Sequence, residues 1–500
     1  MKKYLLIPLV LLLVLTCTFG CKQTTTDNGY YYYFSSAIAP NTATAVDLSG
    51  YTFSEFLNRH CIAVSTTEGE ATFYGVVNGD SGKVIITPTC DEVEMYGDFF
   101  LLNCSETNNN YQVKSLDGTL IFESQNRPEI SDIGGGYVSI TVGDVSSVYN
   151  SKGEEMIAGS LMNGDYEYSA CSNFLIARST KVGDCHIFNL HTGELKKSFY
   201  PKNETLFTVH YAGGNDFIVI YDYYIEEGGD YDILLREAGG SEVRLKQSIS
   251  RFTIGVDTPH TIPFTGYIAS VRSRYAFDMT QEERENYPLQ EEYFSIGTYN
   301  VTNKTADGKV TYFVTDRRLN KLVEMPNGIR PDTKCTDGYF MSGLQSNKVM
   351  LFDSKLNPIL TLPEERYYSA TLSDGAIVAT ILSDKRAAYG AYDLEGNVII
   401  EFKYSYLSAF ISGKAIGVHD GKSYLVSKSG EEEYIGENKN PFYWDGYYVR
   451  TENERIGLTS YNKTTLTSAT YDSVQDYKRF GDTVYVALQT ENVTIVYKLT

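Results

Sequence analysis

The sequence predicts an all-β protein, a repeat-built, propeller-like array of antiparallel blades with one short helix in a mid-chain insertion. After residue 45, short runs of Val, Ile, Tyr, Phe and Thr alternate with polar residues and show little helical periodicity. Turns rich in Gly, Asn and Asp recur at steps of about 34 to 40 residues, which indicates a repeat architecture. Tyrosine is abundant, with 42 residues, and suits half-buried pleated surfaces.

The repeated turns supply the corners of the predicted hairpins. A tight hairpin needs a residue with positive φ at its corner, and an Asp or Asn ahead of that residue caps the turn. The predicted corner residues are Gly82, Gly118, Gly153, Gly193, Asn357, Gly396 and Gly430. Each unit then holds three or four short strands, as in residues 338–362, and such strands form one blade-like antiparallel sheet.

Composition divides the chain into five segments. They are a lipoprotein-type signal peptide at 1–20, a polar tether at 21–45, an N-terminal β-repeat array at 46–250, a looser insertion or seam at 251–310, and a C-terminal β-repeat array at 311–500. Within the seam, Thr280 and Glu283 can form a capping box and Pro288 can end the short helix.

The N-terminus has the features of a secretory leader. Lys2 and Lys3 precede an apolar run from Leu5 to Leu15, which is shorter than the roughly 20 residues that a membrane-spanning helix needs. The segment TFGC, residues 18–21, resembles a bacterial lipobox. The resemblance implies lipidation at Cys21 and an extracytoplasmic protein anchored by lipid at the bacterial cell membrane. A plain signal peptide, with Cys21 incidental, is the alternative.

Charge and cysteine content narrow the classes of function. The formal net charge of −20 argues against nucleic acid and against anionic lipid headgroups as partners. Six cysteines follow Cys21, and Cys90 with Cys104, or Cys171 with Cys185, are close enough in sequence to pair on neighbouring strands. The irregular spacing also fits small buried hydrophobic residues, and the absence of a CxxC pair gives no indication of zinc.

Three segments align well with one another. Each has a glycine, a turn, a strand rich in β-branched residues and, fourteen or fifteen residues after the glycine, a closing residue. The glycine and closing residue are Gly75 and Cys90, Gly390 and Tyr404, and Gly457 and Tyr471. These segments resemble the WG repeat of bacterial secreted and surface proteins, although Tyr74, Tyr389 and Ile456 stand where that family has tryptophan. The resemblance implies a noncatalytic scaffold.

Catalytic patterns are weak in this sequence. GDSG around Ser81 and RHC around His60 are typical of chymotrypsin-like proteases, but the two residues are 21 positions apart, where that fold needs roughly 140. The six histidines form no HxH or HExxH pair, and no phosphate-binding GxxxxGK(S/T) loop is present. We therefore assign no catalytic residue, no metal ligand and no cofactor.

Acidic and aromatic clusters suggest surfaces instead. Residues 219–235 read as a hairpin with an acidic tip, where Asp230 and Asp232 could hold calcium, although a solvated tip is the simpler interpretation. Aromatic residues cluster at 30–34, 221–224 and 442–448, and they fit either blade packing or exposed adhesive surfaces. The sequence does not say which residues bind a partner.

These observations predict an exported, lipid-anchored surface protein that acts as a noncatalytic binding scaffold, with a cell-envelope protein or a glycan as its partner. Two alternatives remain open at this stage. One is a propeller enzyme that acts on glycans through a carboxylate pair. The other is an envelope assembly factor that holds client proteins.

Overall fold

A computed structural model describes the protein at residues 33–34, 37–105, 110–157, 166–179, 183–200, 206–224, 233–236, 242–256, 260–261, 271–273, 294–300, 309–315, 321–325, 329, 333, 335–342, 349–362, 367–383, 386–437, 443–444, 446–480, 483–491 and 493–500. These residues are all-β and contain no helix, which confirms the predicted fold class. The short helix predicted at Thr280 to Pro288 and the leader with Cys21 lie outside the described residues. Within them, no helix is long and apolar enough to cross a membrane.

The chain divides into two compact units. The larger consists of residues 48–284 and 288–327, and the smaller of 1–47, 285–287 and 328–500. The predicted seam at 251–310 therefore lies almost wholly within the larger unit. We number the strands along the chain, and β1 (Tyr33–Phe34) and β2 (Ala43–Ala45) belong to the smaller unit.

The described part of the larger unit forms six sheets, which we call sheets 1 to 6. Sheet 1 contains β3 (Thr52–Phe56), β4 (Cys61–Glu68), β5 (Ala71–Asn78) and β6 (Val84–Cys90); sheet 2 β7 (Glu92–Tyr96), β8 (Phe99–Asn103), β9 (Tyr111–Ser115) and β10 (Leu120–Ser124); sheet 3 β11 (Glu129–Gly134), β12 (Tyr137–Val142), β13 (Val145–Asn150) and β14 (Glu155–Ile157). Sheet 4 contains β15 (Tyr166–Cys171), β16 (Phe174–Ser179), β17 (Cys185–Asn189) and β18 (Leu195–Phe199); sheet 5 β19 (Leu206–Gly213), β20 (Asp216–Tyr224), β21 (Ile233–Arg236), β22 (Glu242–Thr253) and β23 (His260–Thr261); sheet 6 β24 (Val271–Ser273), β25 (Phe294–Asn300), β26 (Lys309–Thr315) and β27 (Lys321–Met325).

The described part of the smaller unit forms five further sheets, 7 to 11. Sheet 7 contains β28 (Cys335–Thr336), β29 (Tyr339–Met341), β30 (Met350–Asp353), β31 (Pro358–Thr361) and the parallel strand β1; sheet 8 β32 (Tyr367–Ser373), β33 (Ala376–Ser383), β34 (Arg386–Tyr392) and β35 (Val398–Tyr404); sheet 9 β36 (Tyr406–Leu407), β37 (Lys414–His419), β38 (Lys422–Ser427) and β39 (Glu432–Glu437). Sheet 10 contains β40 (Tyr443–Trp444), β41 (Tyr447–Glu452) and β42 (Arg455–Ser460); sheet 11 contains β43 (Ser473–Phe480), β44 (Thr483–Thr490), β45 (Val493–Leu499) and β2. The N-terminal strand β2 thus completes the C-terminal sheet, with Ala43 opposite Leu499.

Within each unit, neighbouring sheets share hydrophobic cores, from sheet 1 to sheet 5 and from sheet 7 to sheet 11. The run Phe99, Phe100, Leu101, Leu102 on β8 shows how, because all four side chains are buried. Phe99 and Leu101 pack in one core with Ile130 and other side chains of sheet 3, whereas Phe100 and Leu102 pack in another with side chains of sheet 1. A strand buried on both faces has no polar alternation, which explains the uninterrupted apolar run. Burying each such side chain contributes about 1.5–3 kcal/mol.

In sheets 1 to 4 and 7 to 9, the repeated turn joins the last two strands along the chain. In the turn after β34, Asp393 Oδ1 accepts hydrogen bonds from the backbone N–H of Glu395 at 3.0 Å and of Asn397 at 2.7 Å. Gly396 takes the positive φ, at 88°. The same bonding by Asp353 shapes the turn after β30, but there Leu356 has the positive φ, at 65°. The predicted corner at Asn357 is therefore one residue too late.

Turn glycines also contact the preceding sheet. At Gly193 in sheet 4, where φ is +65°, an added Cβ would lie 2.9 Å from the Met156 carbonyl oxygen on β14 of sheet 3. At Gly396 in sheet 8, an added Cβ would lie 2.8 Å from Leu360 Cδ1 on β31 of sheet 7. At these two positions the recurrent turn is thus a stacking contact as well as a hairpin corner, and glycine suits both roles.

The glycine of the aromatic-glycine pair has a different role. Tyr389 is paired with Tyr404 and Ala391 with Ile400, so the fourth strand bulges across the residue between them, Gly390. An added Cβ at Gly390 would lie 2.7 Å from the Ile400 carbonyl oxygen. The bulge recurs over the equivalent glycines of the other two copies, Gly75 and Gly457, where an added Cβ would lie 2.8 Å from Pro88 Cδ and from the Ser468 carbonyl oxygen, respectively.

The closing residue of each copy fastens its sheet to the next one. The bonds are a disulfide between Cys90 and Cys104, a hydrogen bond of 2.5 Å from the Tyr404 hydroxyl to Glu432 Oε1, and a hydrogen bond of 2.6 Å between the hydroxyls of Tyr471 and Tyr497. Burial by itself would raise the pKa of Glu432, but hydrogen bonds from Lys403, Tyr404 and His419 outweigh it and lower the pKa to about 2. Position is constant among the copies, whereas the bonding chemistry varies.

The other suggested cysteine pair, Cys171 with Cys185, does not form. β16 lies between their strands, with Cys171 opposite Phe174 at one end of β16 and Cys185 opposite Arg178 near the other. Neither cysteine is in a disulfide, and both are buried in the core between sheets 4 and 5. Burial raises the pKa of Cys185 to about 12, as expected of an inert core residue. Cys171 and Cys185 therefore act as small buried hydrophobic residues, the other role that the sequence suggested for the cysteines.

Candidate binding cleft

A cleft of about 500 Å³ lies where sheet 1 meets sheet 2. Both sheets contribute polar side chains to it, and the Tyr74 ring gives it an aromatic wall. The lining residues are Ser54, Glu55, Ala63, Tyr74, Asp91, Glu92, Val93, Glu94 and Asn103. Its volume is within the range of small-ligand sites, about 300–1,000 Å³.

Carboxylates dominate the polar lining, in the form of Glu55, Asp91, Glu92 and Glu94. Arg127 approaches Glu94 Oε1 at 2.5 Å and Glu92 Oε2 at 3.6 Å, and within the described ranges it is the single cation in an ion pair with these four groups. The cleft therefore carries more negative than positive charge, and it is complementary to a cationic group.

Asp91 differs from the other three because it belongs to the repeat. Its carboxylate accepts a hydrogen bond of 2.9 Å from the backbone N–H of Ser105, and Ser105 also lowers the pKa of Asp91. Asp472, which follows the closing Tyr471 of another copy, accepts the equivalent bond from the Glu491 N–H at 2.6 Å. Asp91 thus belongs to the repeat residues that join one sheet to the next. The carboxylates specific to this cleft are Glu55, Glu92 and Glu94.

Two residues of the protease-like segments, His60 and Asp80, meet in space, but the Ser81 hydroxyl is bonded elsewhere. His60 Nδ1 lies 2.6 Å from Asp80 Oδ2, whereas the Ser81 hydroxyl donates to Asn78 Oδ1 at 2.9 Å. Asn78 Oδ1 also accepts the backbone N–H groups of Asp80 and Ser81. Asn78 therefore caps the turn after β5, and Ser81 bonds within that turn.

The remaining suggested residues do not converge on one place. Asp230 and Asp232 lie outside the described residues, and across the described parts no group of three or more His, Cys, Asp or Glu side chains could hold a metal ion. Of the aromatic clusters, Tyr447 is fully buried, at 0% exposure, which favours blade packing there. Burial lowers the pKa of His210 to about 4, so that it is a neutral core residue.

Comparison with known proteins places a WG containing repeat at residues 389–422. No curated protein matches the sequence. Among solved structures, the chain is similar to a eukaryotic initiation factor, with TM-score 0.35 and 11% identity over 72% of this chain and 87% of that chain. It is also similar to the C-terminal WD40 domain of Sif2, with TM-score 0.28 and 8% identity over 78% and 95%, and to BamB from Moraxella catarrhalis, with TM-score 0.25 and 12% identity over 74% and 93%.

The match begins at Tyr389 of the aromatic-glycine pair and extends to Lys422, at the start of β38. It includes the bulge over Gly390, the Asp393 turn and the closing Tyr404 that bonds to sheet 9. The residues that carried the resemblance in sequence are therefore those that stack one sheet on the next. Residues 389–422 therefore carry a WG containing repeat.

Proposed function

We propose that the protein is exported, is held at the cell membrane by a lipid on Cys21, and acts as a noncatalytic interaction scaffold. We propose further that the cleft between sheets 1 and 2 binds a basic segment of a partner protein. The observation that carries this proposal is the excess of carboxylates around an aromatic wall, at Glu55, Glu92 and Tyr74. A Lys or Arg side chain can pair with the carboxylates and place its cation against the Tyr74 ring.

The disulfide supports export. Cys90 and Cys104 are both buried and joined, and they lie directly beside Asp91 and Asn103 of the cleft. Disulfides persist in oxidising compartments and are rare in the cytosol. A chain that leaves the cytosol through its leader would form this bond outside.

The alternative of a glycan-cleaving enzyme finds less support in this cleft. A glycosidase needs one carboxyl group with a raised pKa to act as the general acid. At Asp91 the hydrogen bonds from Ser105 lower the pKa instead. Release of reducing ends from polysaccharides by the purified protein would favour the enzyme.

Neutralising the cleft is expected to weaken binding of a Lys- and Arg-rich peptide by about tenfold in Kd, equivalent to about 1.4 kcal/mol. The variant is Glu55→Gln with Glu92→Gln, and the measurement is fluorescence anisotropy at low ionic strength. The matched control, Glu123→Gln with Glu167→Gln, removes the same charge from exposed positions on β10 and β15. An equal loss in the control, or equal affinity of the wild type for a neutral peptide of the same length, would contradict the proposal.

The lipid anchor has its own test. We expect labelled palmitate to be incorporated into the wild-type protein in a bacterial host and to be absent from Cys21→Ala. Cys17→Ala, in the same leader, is the control and should retain the label. Label that persists in Cys21→Ala would show that another residue is modified.

A further inference from the structure

Two exposed tyrosines stand on rigid side-chain supports outside the cleft. Tyr434 on β39 is 53% exposed and Tyr200, directly after β18, is 61% exposed. We propose that these two tyrosine platforms bind the sugar rings of a neutral polysaccharide. This inference goes beyond the proposed function, since neither the residues nor the ligand class belong to the cleft.

The platform in the smaller unit is built on His419. The His419 ring stacks on Tyr424 at 4.4 Å with an angle of 5° between the planes, and the edge of Tyr424 meets Tyr434 at 6.0 Å. The His419 Nε2 lies 3.1 Å from Glu432 Oε2. The Tyr434 hydroxyl donates to Glu437 Oε1 at 3.0 Å, so that both ends of the exposed ring are fixed.

The platform in the larger unit repeats this design with different residues. The ring of His186 meets Tyr200 at 6.1 Å in an edge-on arrangement. Its Nε2 lies 2.9 Å from Asp184 Oδ2, and its Nδ1 lies 2.8 Å from the Ser198 hydroxyl. Tyr166 packs against the opposite part of the imidazole at 5.7 Å. In both units, a histidine bonded to a carboxylate supports the exposed tyrosine. His186 contacts Tyr200 directly, and His419 supports Tyr434 through Tyr424.

The chemistry of the platforms fits a neutral sugar. One face of a pyranose ring carries C–H groups that pack on an aromatic face, and its hydroxyls bond to nearby carboxylates. A preorganised ring loses little conformational entropy when it binds. The carboxylates are already engaged by cations or donors, Glu432 by Lys403 at 2.6 Å and Asp184 by the Tyr166 hydroxyl at 3.3 Å. An anionic polymer would be repelled by the carboxylates beside each platform, Asp184 and Glu437, whereas a neutral one would not.

Affinity electrophoresis through gels containing a soluble β-glucan, xylan or galactomannan tests this inference. We expect at least one of these polymers to retard the wild-type protein, and Tyr200→Ala with Tyr434→Ala to reduce the retardation at least tenfold in apparent affinity. Tyr200→Trp with Tyr434→Trp should preserve it, because the ring provides the contact. The control is Tyr477→Ala, at a residue that is 47% exposed and belongs to neither platform.

Three outcomes would overturn the inference: no retardation by any of the three polymers, equal loss in Tyr477→Ala, or full retardation of the double alanine variant. An unchanged thermal midpoint of that variant shows that a loss of binding is not a loss of folding, since both side chains are largely exposed. The cleft variant Glu55→Gln with Glu92→Gln should bind polysaccharide as the wild type does. Failure of peptide binding and failure of sugar binding are thereby distinguishable.

Discussion

Replacing Gly390 with alanine is expected to lower the free energy of unfolding by about 1–3 kcal/mol, the usual cost of overpacking a core. The new Cβ would lie 2.7 Å from the Ile400 carbonyl oxygen and 2.7 Å from Phe402 Cγ. The carbonyl belongs to the bulged backbone of β35, which also carries the closing Tyr404. Relief of the clash would therefore disturb the hydrogen bond from Tyr404 to sheet 9. The measurement is the midpoint of thermal unfolding.

Gly421→Ala is the matched control for this prediction. Gly421 lies in the turn between β37 and β38 with φ of +73° and has nothing within 4 Å of an added Cβ. Its replacement costs only the unfavourable left-handed backbone, about 1–2 kcal/mol. We expect Gly390→Ala to have the lower midpoint of the two. A midpoint for Gly390→Ala equal to that of the wild type would show that the bulge does not need glycine.

Removing the disulfide with Cys90→Ala and Cys104→Ala is expected to destabilise the protein by about 3 kcal/mol, the value for a loop of about 15 residues. The two cysteines are 14 residues apart and join sheet 1 to sheet 2. Without the bond the unfolded chain gains conformational freedom, and the two sheets lose a covalent contact. Urea unfolding, followed by far-UV circular dichroism of the backbone, measures the change in the free energy of unfolding.

A reductant supplies the control for the disulfide. We expect dithiothreitol to shift the urea midpoint of the wild-type protein towards that of the double variant and to leave the double variant unchanged. The other described cysteines, Cys61, Cys171, Cys185 and Cys335, are buried and outside any disulfide, so they give the reductant no bond to break. An identical wild-type midpoint with and without reductant would show that the bond does not stabilise the fold.

Local chemistry made much of the fold predictable. Positive φ at Gly82, Gly193 and Gly396 follows from the turn motif, and β29, β30 and β31 appear within residues 338–362 as predicted. Leu356 was missed because glycine is the usual signal for positive φ, whereas bonds from Asp353 impose that conformation on a leucine. A glycine turn motif is visible in the sequence, whereas the positive φ of a leucine, stabilised by hydrogen bonds to a neighbouring carboxylate, is not.

Strand order was less accessible. Residues 219–235 read as a hairpin, but β20 and β21 are not paired, because β22 lies between them and bonds to both. Adjacent runs with alternating residues favour a hairpin, and a later, longer strand can take the central place in the sheet. The hairpin interpretation was therefore wrong.

The candidate sites show the same division. Tyr74 and Asp91 could be found from sequence because they belong to the repeat motif. Glu55 and Glu92 could not, since they lie on β3 and β7 and meet only where two sheets pack. Tyr200 has only Phe199 beside it and Tyr434 has no aromatic neighbour in sequence, so neither belongs to an aromatic cluster. Candidate binding residues that differ between the repeat copies follow no sequence pattern, so only the structure identifies them.

Ligand-dependent thermal unfolding tests most directly the claim that constant repeat residues stack the sheets and variable ones bind. The basic peptide should raise the wild-type midpoint, as any ligand of the folded state does. Gly193→Ala, whose Cβ would meet the Met156 carbonyl oxygen at 2.9 Å, should unfold at a lower temperature but keep the shift with peptide. Glu55→Gln with Glu92→Gln should unfold at the wild-type temperature and lose the shift. An undiminished shift in the cleft variant, or an unchanged midpoint in Gly193→Ala, would contradict the account.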